Sequence, residues 1–132
     1  KEENLIASSA YADVGIISYE KLNNFGCCPN KLSQYAAAGL AIITSDVPFP
    51  KKIVEENELG YVYDDIDTNA LADVMKKISN DKNSRDIFKK NSKNFFLKKF
   101  NWETYSKQFT EPLIGNFKPF KNLELNIVPF PV

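Results

Sequence analysis

Cys28-Pro29-Asn30-Lys31-Leu32-Ser33-Gln34-Tyr35-Ala36-Ala37-Ala38-Gly39 runs directly into Leu40-Ala41-Ile42-Ile43-Thr44-Ser45. The first segment reads as a helix and the second as a buried strand. Proline is tolerated in a first helical turn, where its missing N–H would lack a partner anyway, so Pro29 marks the start. Gly39 marks the stop, because glycine accepts the left-handed backbone that ends many helices. Leu32, Tyr35, Ala36 and Gly39 share one helix face at the i, i+3, i+4, i+7 spacing, while Asn30, Lys31 and Gln34 point elsewhere. One face is for packing and the other for polar contacts. A helix start exposes unpaired N–H groups and a partial positive charge, so this terminus, with Lys31 beside it, suits a phosphate.

Outward from this unit, the chain reads as alternating elements. Val14-Gly15-Ile16-Ile17-Ser18 is a short branched run, expected as a strand buried on both faces. Residues 19–28 form a loop into the helix, with Asn23, Asn24 and Gly26 as turn residues. After the second strand, Asp46-Val47-Pro48-Phe49-Pro50 makes a turn, its prolines enforcing an extended entry to a short helix through Asn57. Gly60-Tyr61-Val62-Tyr63-Asp64 is a third strand, more polar and so placed toward a sheet edge. Strand, helix, strand, helix, strand implies a parallel sheet.

Asp67 then caps a helix carrying Leu71, Val74, Met75 and Ile78 at helical spacing, and Asp81 caps a longer one through about Lys99. Ile87, Phe88, Phe95, Phe96, Trp102, Tyr105 and Phe109 are expected in the core rather than as a ligand platform. Leu5 to Ala12 reads as the end of a helix, as though the chain were entered midway. Residues 111–132, with four prolines and no clear period, read as an irregular tail in which Leu123, Leu125, Ile127 and Val128 add a strand or dock on a neighbour.

Composition narrows the chemistry. With 132 residues and 43% hydrophobic content the chain is long enough for one domain with its own core. Seventeen basic and seventeen acidic residues balance, so no global field recruits nucleic acid. Locally, residues 55–73 hold seven acidic residues and no basic one, and residues 76–99 hold nine basic against two acidic. That basic stretch reads as a solvated helix face, with a peripheral membrane contact or an acidic acceptor as the minor reading. No histidine is present, which removes Ser-His and Cys-His pairs and the commonest metal ligand, so no metal site is expected. Cys27 and Cys28 are adjacent and are the only cysteines, which excludes an internal disulfide framework and suits a reducing compartment. A thiol at a helix terminus can be reactive, but small apolar packing is the preferred reading of both. No apolar run approaches the ~20 residues that span a bilayer, and no signal peptide opens the sequence. The chain is accordingly expected to be cytoplasmic, with a peripheral position at the inner membrane face as the variant.

Pro29-Asn30-Lys31-Leu32, then Tyr35-Ala36-Ala37-Ala38-Gly39 and the following strand, resemble the donor-binding motif of retaining GT-B glycosyltransferases of family four, the group one type. The resemblance continues through Asp46-Val47-Pro48, Ile53-Val54-Glu55-Glu56-Asn57, Gly60-Tyr61-Val62-Tyr63 and Phe100-Asn101-Trp102-Glu103. It covers roughly residues 5–110, and the order of the pieces carries it. It implies an α/β fold: the second half of a Rossmann-like, three-layer parallel-sheet domain over residues 1–110, with C-terminal helices, then a tail over 111–132. It also implies transfer of a hexosyl group from a nucleotide diphosphate-sugar, without a cofactor, in bacterial polysaccharide biosynthesis.

Ligands of open α/β sheets bind beyond the carboxyl ends of the strands, here the loops after Ser18, Ser45 and Asp64. The resemblance places the donor there, against Gly26, Pro29, Asn30, Lys31, Leu32 and Gln34. Two positions depart from the family pattern. The glutamate that binds the ribose hydroxyls, suited to them because a carboxylate accepts two hydrogen bonds, is Gln34 in this chain. The other glutamate of the pattern falls on Gly26. No residue is assigned to catalysis, which in this family resembles electrostatic stabilisation of the leaving diphosphate by basic residues upstream of this segment. The implied partners are the donor and an N-terminal domain with the first half of this one, or a partner chain supplying them. The hydrophobic edge at Val14–Ser18 also invites a homodimer. A non-catalytic nucleotide-sugar or protein-binding module is the alternative, favoured by Gln34 and Gly26. A nucleotide-sugar epimerase would need catalytic acids and histidines not found here. A receiver-like signalling domain would need an acidic cluster that Asp13 and Asp46 do not form.

Overall fold

The computed structural model describes residue 9, residues 11–22, residue 24, residues 26–67, residues 69–104, and residues 106, 107 and 110. Three parallel strands lie in the order β1 (Val14–Ile17), β2 (Ala41–Ser45), β3 (Gly60–Tyr63). Val14 stands opposite Ala41 and Ile42 opposite Gly60. Helices α1 (Asn30–Ala38) and α2 (Pro48–Glu56) connect them, and α3 (Ala70–Asn80) and α4 (Lys82–Lys99) follow. The expected parallel α/β sheet with crossover helices is therefore present. Of the expected helix end at residues 5–12, Ser9 is helical and Tyr11 is exposed in a turn. Residues 111–132, Tyr105 and Phe109 lie outside the described residues.

The central strand explains the layering. Every residue of β2 is buried, so both its faces need a cover. On one side Ile17, Leu32, Ala36, Ile42, Val54, Leu59 and Phe95 form a core beneath α1, α2 and α4. On the other, Ala41, Ile43, Tyr63 and Ile78 close beneath α3, with Leu71, Val74 and Phe88 packed around them. Burying an aliphatic side chain of this size contributes about 1.5–3 kcal/mol. Helix α4 serves both layers, since Phe88 belongs to one and Phe95 to the other. β1 differs from its expectation: Gly15 and Ile17 are buried, while Val14 and Ile16 are only half-buried, so it is sealed on one face. No strand pairs with the outer edge of β1 among the described residues.

Local chemistry sets the helix ends. Gly39 takes φ 72°, and the N–H groups of Gly39 and Leu40 donate to the carbonyls of Ala36 and Tyr35. This paired closure requires a left-handed residue, as expected for a glycine. Asp81 caps α4 as expected, its carboxylate accepting from the Ser84 N–H at 2.9 Å and from the Ser84 hydroxyl at 2.6 Å. Three starts differ from expectation. Pro29 precedes the first turn of α1, in extended backbone at φ −72°, ψ 130°. Pro48 and Pro50 lie inside the first turn of α2, and Val47 makes the extended entry. Asp67 accepts from the Asn69 N–H at 2.8 Å in a tight turn, so α3 begins without a side-chain cap.

The basic stretch is largely solvent-facing, as expected, with seven of its nine cations exposed. Four cations of α4 nonetheless reach partners on other segments. Arg85 donates to the carbonyls of Ile78 and Ser79 at the end of α3. Lys93 donates to the Ala37 carbonyl at the end of α1, 2.7 Å away, and Lys99 to the Asn57 side chain beyond α2. Lys89 pairs with Asp13 at 2.8 Å. Helix C-termini expose unpaired carbonyls and partial negative charge, so cations placed there satisfy both. With the Asn91 amide donating to the Glu58 carbonyl, α4 meets the segments entering β1, β2 and β3 at the amino end of the sheet, where a cleft of about 380 Å³ remains between α4 and the end of α2. The expected core aromatics divide: Phe95 is buried and stacks on Phe100, whereas Trp102 is 75% exposed and Ile87 is 47% exposed.

Gly15 lets α1 sit close to β1, since an added Cβ would clash with the Tyr35 ring. Gly15→Ala is expected to cost about 1–3 kcal/mol of stability, as overpacked cores do. Urea denaturation reads the loss, and a variant as stable as the parent would show that α1 rides loosely on the sheet.

Candidate functional site

The loops after the three parallel strands converge at the carboxyl end of the sheet. The loop after β1 is tied to β2 at its start: the Tyr19 N–H donates to Ser45 Oγ at 3.1 Å, and that hydroxyl donates back to the Tyr19 carbonyl at 2.8 Å. The Tyr63 hydroxyl at the end of β3 donates to Ser18 Oγ at 2.7 Å. Two residues later Lys21 reaches both neighbouring loops. Its backbone N–H donates to Asp65 at 2.7 Å and its ammonium to Asp46 at 2.5 Å.

The acidic groups here form a cluster, with one carboxylate oxygen each from Asp46, Asp64 and Asp65 within 4.8 Å of one another. Asp46 and Asp65 each keep a second oxygen buried and without a hydrogen-bond partner. The hydrogen bond from Lys21 holds the Asp46 carboxyl below its ordinary range, and the same contact pushes the Lys21 ammonium up. The cluster thus carries its own cation. Asp13 lies away from it, paired with Lys89, as the sequence reading held when it excluded a cluster of Asp13 with Asp46. The grouping of Asp46 with Asp64 and Asp65 was missed. Its visible signal was an acidic residue immediately after two of the three strands.

The six expected donor contacts separate. Gly26 is exposed, and a Cβ built there would meet nothing within 4 Å. Asn30 and Lys31 are exposed in the first turn of α1, which no side chain caps, and Lys31 has no acidic partner among the described residues. The Asn30 carbonyl accepts from the Ser33 hydroxyl at 2.9 Å. Gln34 is half-buried one turn further on. Pro29 is buried, and Leu32 is wholly buried in the core, which leaves its side chain no reach to a ligand. The Leu32 N–H is also occupied, donating to the Pro29 carbonyl at 3.0 Å.

An apolar cleft of about 390 Å³ opens beside this helix start, lined by Cys28, Phe49, Phe100, Asn101 and Trp102. The Asn101 side chain is occupied elsewhere, donating to the Phe96 and Leu97 carbonyls and accepting from the Thr104 N–H. Burial pushes the Cys28 thiol up from its ordinary value, which keeps the sulfur protonated and makes it a poor nucleophile. Both cysteines are free thiols.

Residues 5–95 match the family described as glycosyl transferases group 1. No curated protein and no solved structure matches the chain. No helix among the described residues is long and apolar enough to cross a membrane.

Because the folded Asp46 carboxyl is held low, its contribution to stability is complete above the ordinary carboxylate range and is lost as pH falls through the lower folded value. The stability gap between the parent and Asp46→Asn is expected to close between about pH 5 and pH 2, followed by denaturation at each pH. A gap independent of pH would place the Asp46 charge outside the folded network.

Proposed function

The chain belongs to the group 1 glycosyl transferases, and we propose that it supplies the phosphate- and ribose-facing part of a nucleotide diphosphate-sugar site. The observation that carries this reading is the uncapped start of α1 at the carboxyl end of the sheet, with Lys31, unpaired among the described residues, beside it and half-buried Gln34 one turn on. The Asn30 and Lys31 N–H groups and the Lys31 ammonium face the diphosphate. The Gln34 amide faces the ribose hydroxyls, accepting and donating where a carboxylate would only accept.

Sugar transfer in this reading proceeds with retention and asks mainly for stabilisation of charge on the departing diphosphate. In the loops that follow the strands, Lys21 is the one lysine or arginine, and it is committed to Asp46. Lys31 by itself falls short of the charge that a leaving diphosphate develops. The chain therefore binds donor but does not turn it over unaided, and further cations and the acceptor site come from an N-terminal domain or a partner chain. The outer edge of β1 is where such a partner adds a strand.

Titration calorimetry with UDP, GDP and ADP and their sugars tests this reading. Saturable binding that weakens in both Lys31→Ala and Gln34→Ala is expected, and absence of binding at millimolar ligand overturns it. Gln34→Glu is expected to tighten binding roughly threefold to tenfold, because a charge-assisted hydrogen bond to a hydroxyl is stronger than a neutral one. The competing reading, a non-catalytic module, rests on Gln34 and Gly26 standing where the family pattern carries acids. An unchanged affinity in Gln34→Glu would favour it.

A further inference from the structure

We infer that Lys21 is the positioning residue of the donor loop: its ammonium between the β2 and β3 loops holds the chain that leads into α1. The inference rests on the donor reading above for its functional side and on geometry for the rest. Lys21 makes one contact to each neighbouring loop, with its side chain on Asp46 and its backbone N–H on Asp65. A sequence of turns carries that position forward. The Asn24 N–H donates to the Lys21 carbonyl at 3.2 Å, and the Cys27 N–H donates to the Asn24 carbonyl at 2.9 Å. The Asn24 side chain also donates to the Glu20 carbonyl at 2.8 Å. Cys27 stands two residues before Pro29, and α1 begins at the next position. Displacing Lys21 therefore displaces the start of the helix that faces the diphosphate.

The acidic surroundings make this role depend on charge. Asp46 and Asp65 each bury an oxygen with no hydrogen-bond partner, and Asp64 lies in the same cluster. Like charges so close repel unless a cation lies among them. Removing the ammonium leaves that repulsion at the point where three loops meet. Removing the Asp46 charge as well relieves it, so the second substitution acts in the opposite direction to the first. A lysine that served only as surface charge would show no such reversal.

Amide exchange measured by NMR on the full chain tests the inference, alongside titration with UDP, GDP and ADP. Lys21→Met is expected to speed exchange at Asn24 and Cys27 about tenfold, with β2 amides and the thermal midpoint little changed, as for local rather than global opening. Lys21→Arg and the double variant Lys21→Met/Asp46→Asn are each expected to recover much of the protection. Nucleoside diphosphate affinity is expected to fall in Lys21→Met and to return in both rescuing variants. Unchanged exchange at Asn24 and Cys27 in Lys21→Met overturns the inference, as does an additive double variant. Faster exchange with unchanged diphosphate affinity overturns the positioning role. If the parent chain binds none of the three diphosphates, it is the donor reading that fails, and the exchange data still decide whether Lys21 holds the loop.

Discussion

The structure depends on the complete burial of β2. Five consecutive residues, Ala41 to Ser45, have no exposed face, so the strand needs a neighbour on each edge and a helical layer above and below. β1 and β3 supply the edges. α1, α2 and α4 cover one face and α3 the other, with the polar ends of Thr44 and Ser45 turned inward at the carboxyl terminus. There the Thr44 hydroxyl donates to the Ser45 carbonyl, and Ser45 trades hydrogen bonds with Tyr19. A buried hydroxyl without partners would be costly, so these exchanges bind the first loop to the sheet.

The two ends of the sheet are held by different means. At the amino end, α4 lays its lysines and arginine on the carbonyl ends of α1 and α3 and on the segments that enter the strands. These contacts give Arg85, Lys89 and Lys93 of the basic stretch internal partners. At the carboxyl end, an acidic cluster around one ammonium ties three loops together. The difference matters for function. In the donor reading proposed above the ligand lies at the carboxyl end, where the α1 start carries Lys31, unpaired among the described residues, and the half-buried Gln34 within one turn of helix.

The aromatic residues show where one-dimensional reading falls short. Phe88, Phe95 and Phe96 pack as their apolar character suggests, but Trp102 stands largely in solvent at the rim of the apolar cleft, and Ile87 is half-exposed on α4. Helical spacing says which residues share a face. It does not say how far a neighbouring layer extends over that face.

Periodicity, Gly39, Asp81 and the branched runs were sufficient to establish the order of strands and helices, the parallel sheet and the cap of α4, because these rest on interactions within a few residues along the chain. The family and the polar character of the α1 start were legible for the same reason, the motif being contiguous. What the tertiary structure decided were the contacts between distant residues: Lys21 with Asp46 and Asp65, Tyr19 with Ser45, and Lys93 with the Ala37 carbonyl. Those pairings are separated by 25 to 56 residues, and no local pattern encodes them. They follow only once β2 is buried, because covering it brings the loops after all three strands to one end and the cations of α4 to the other.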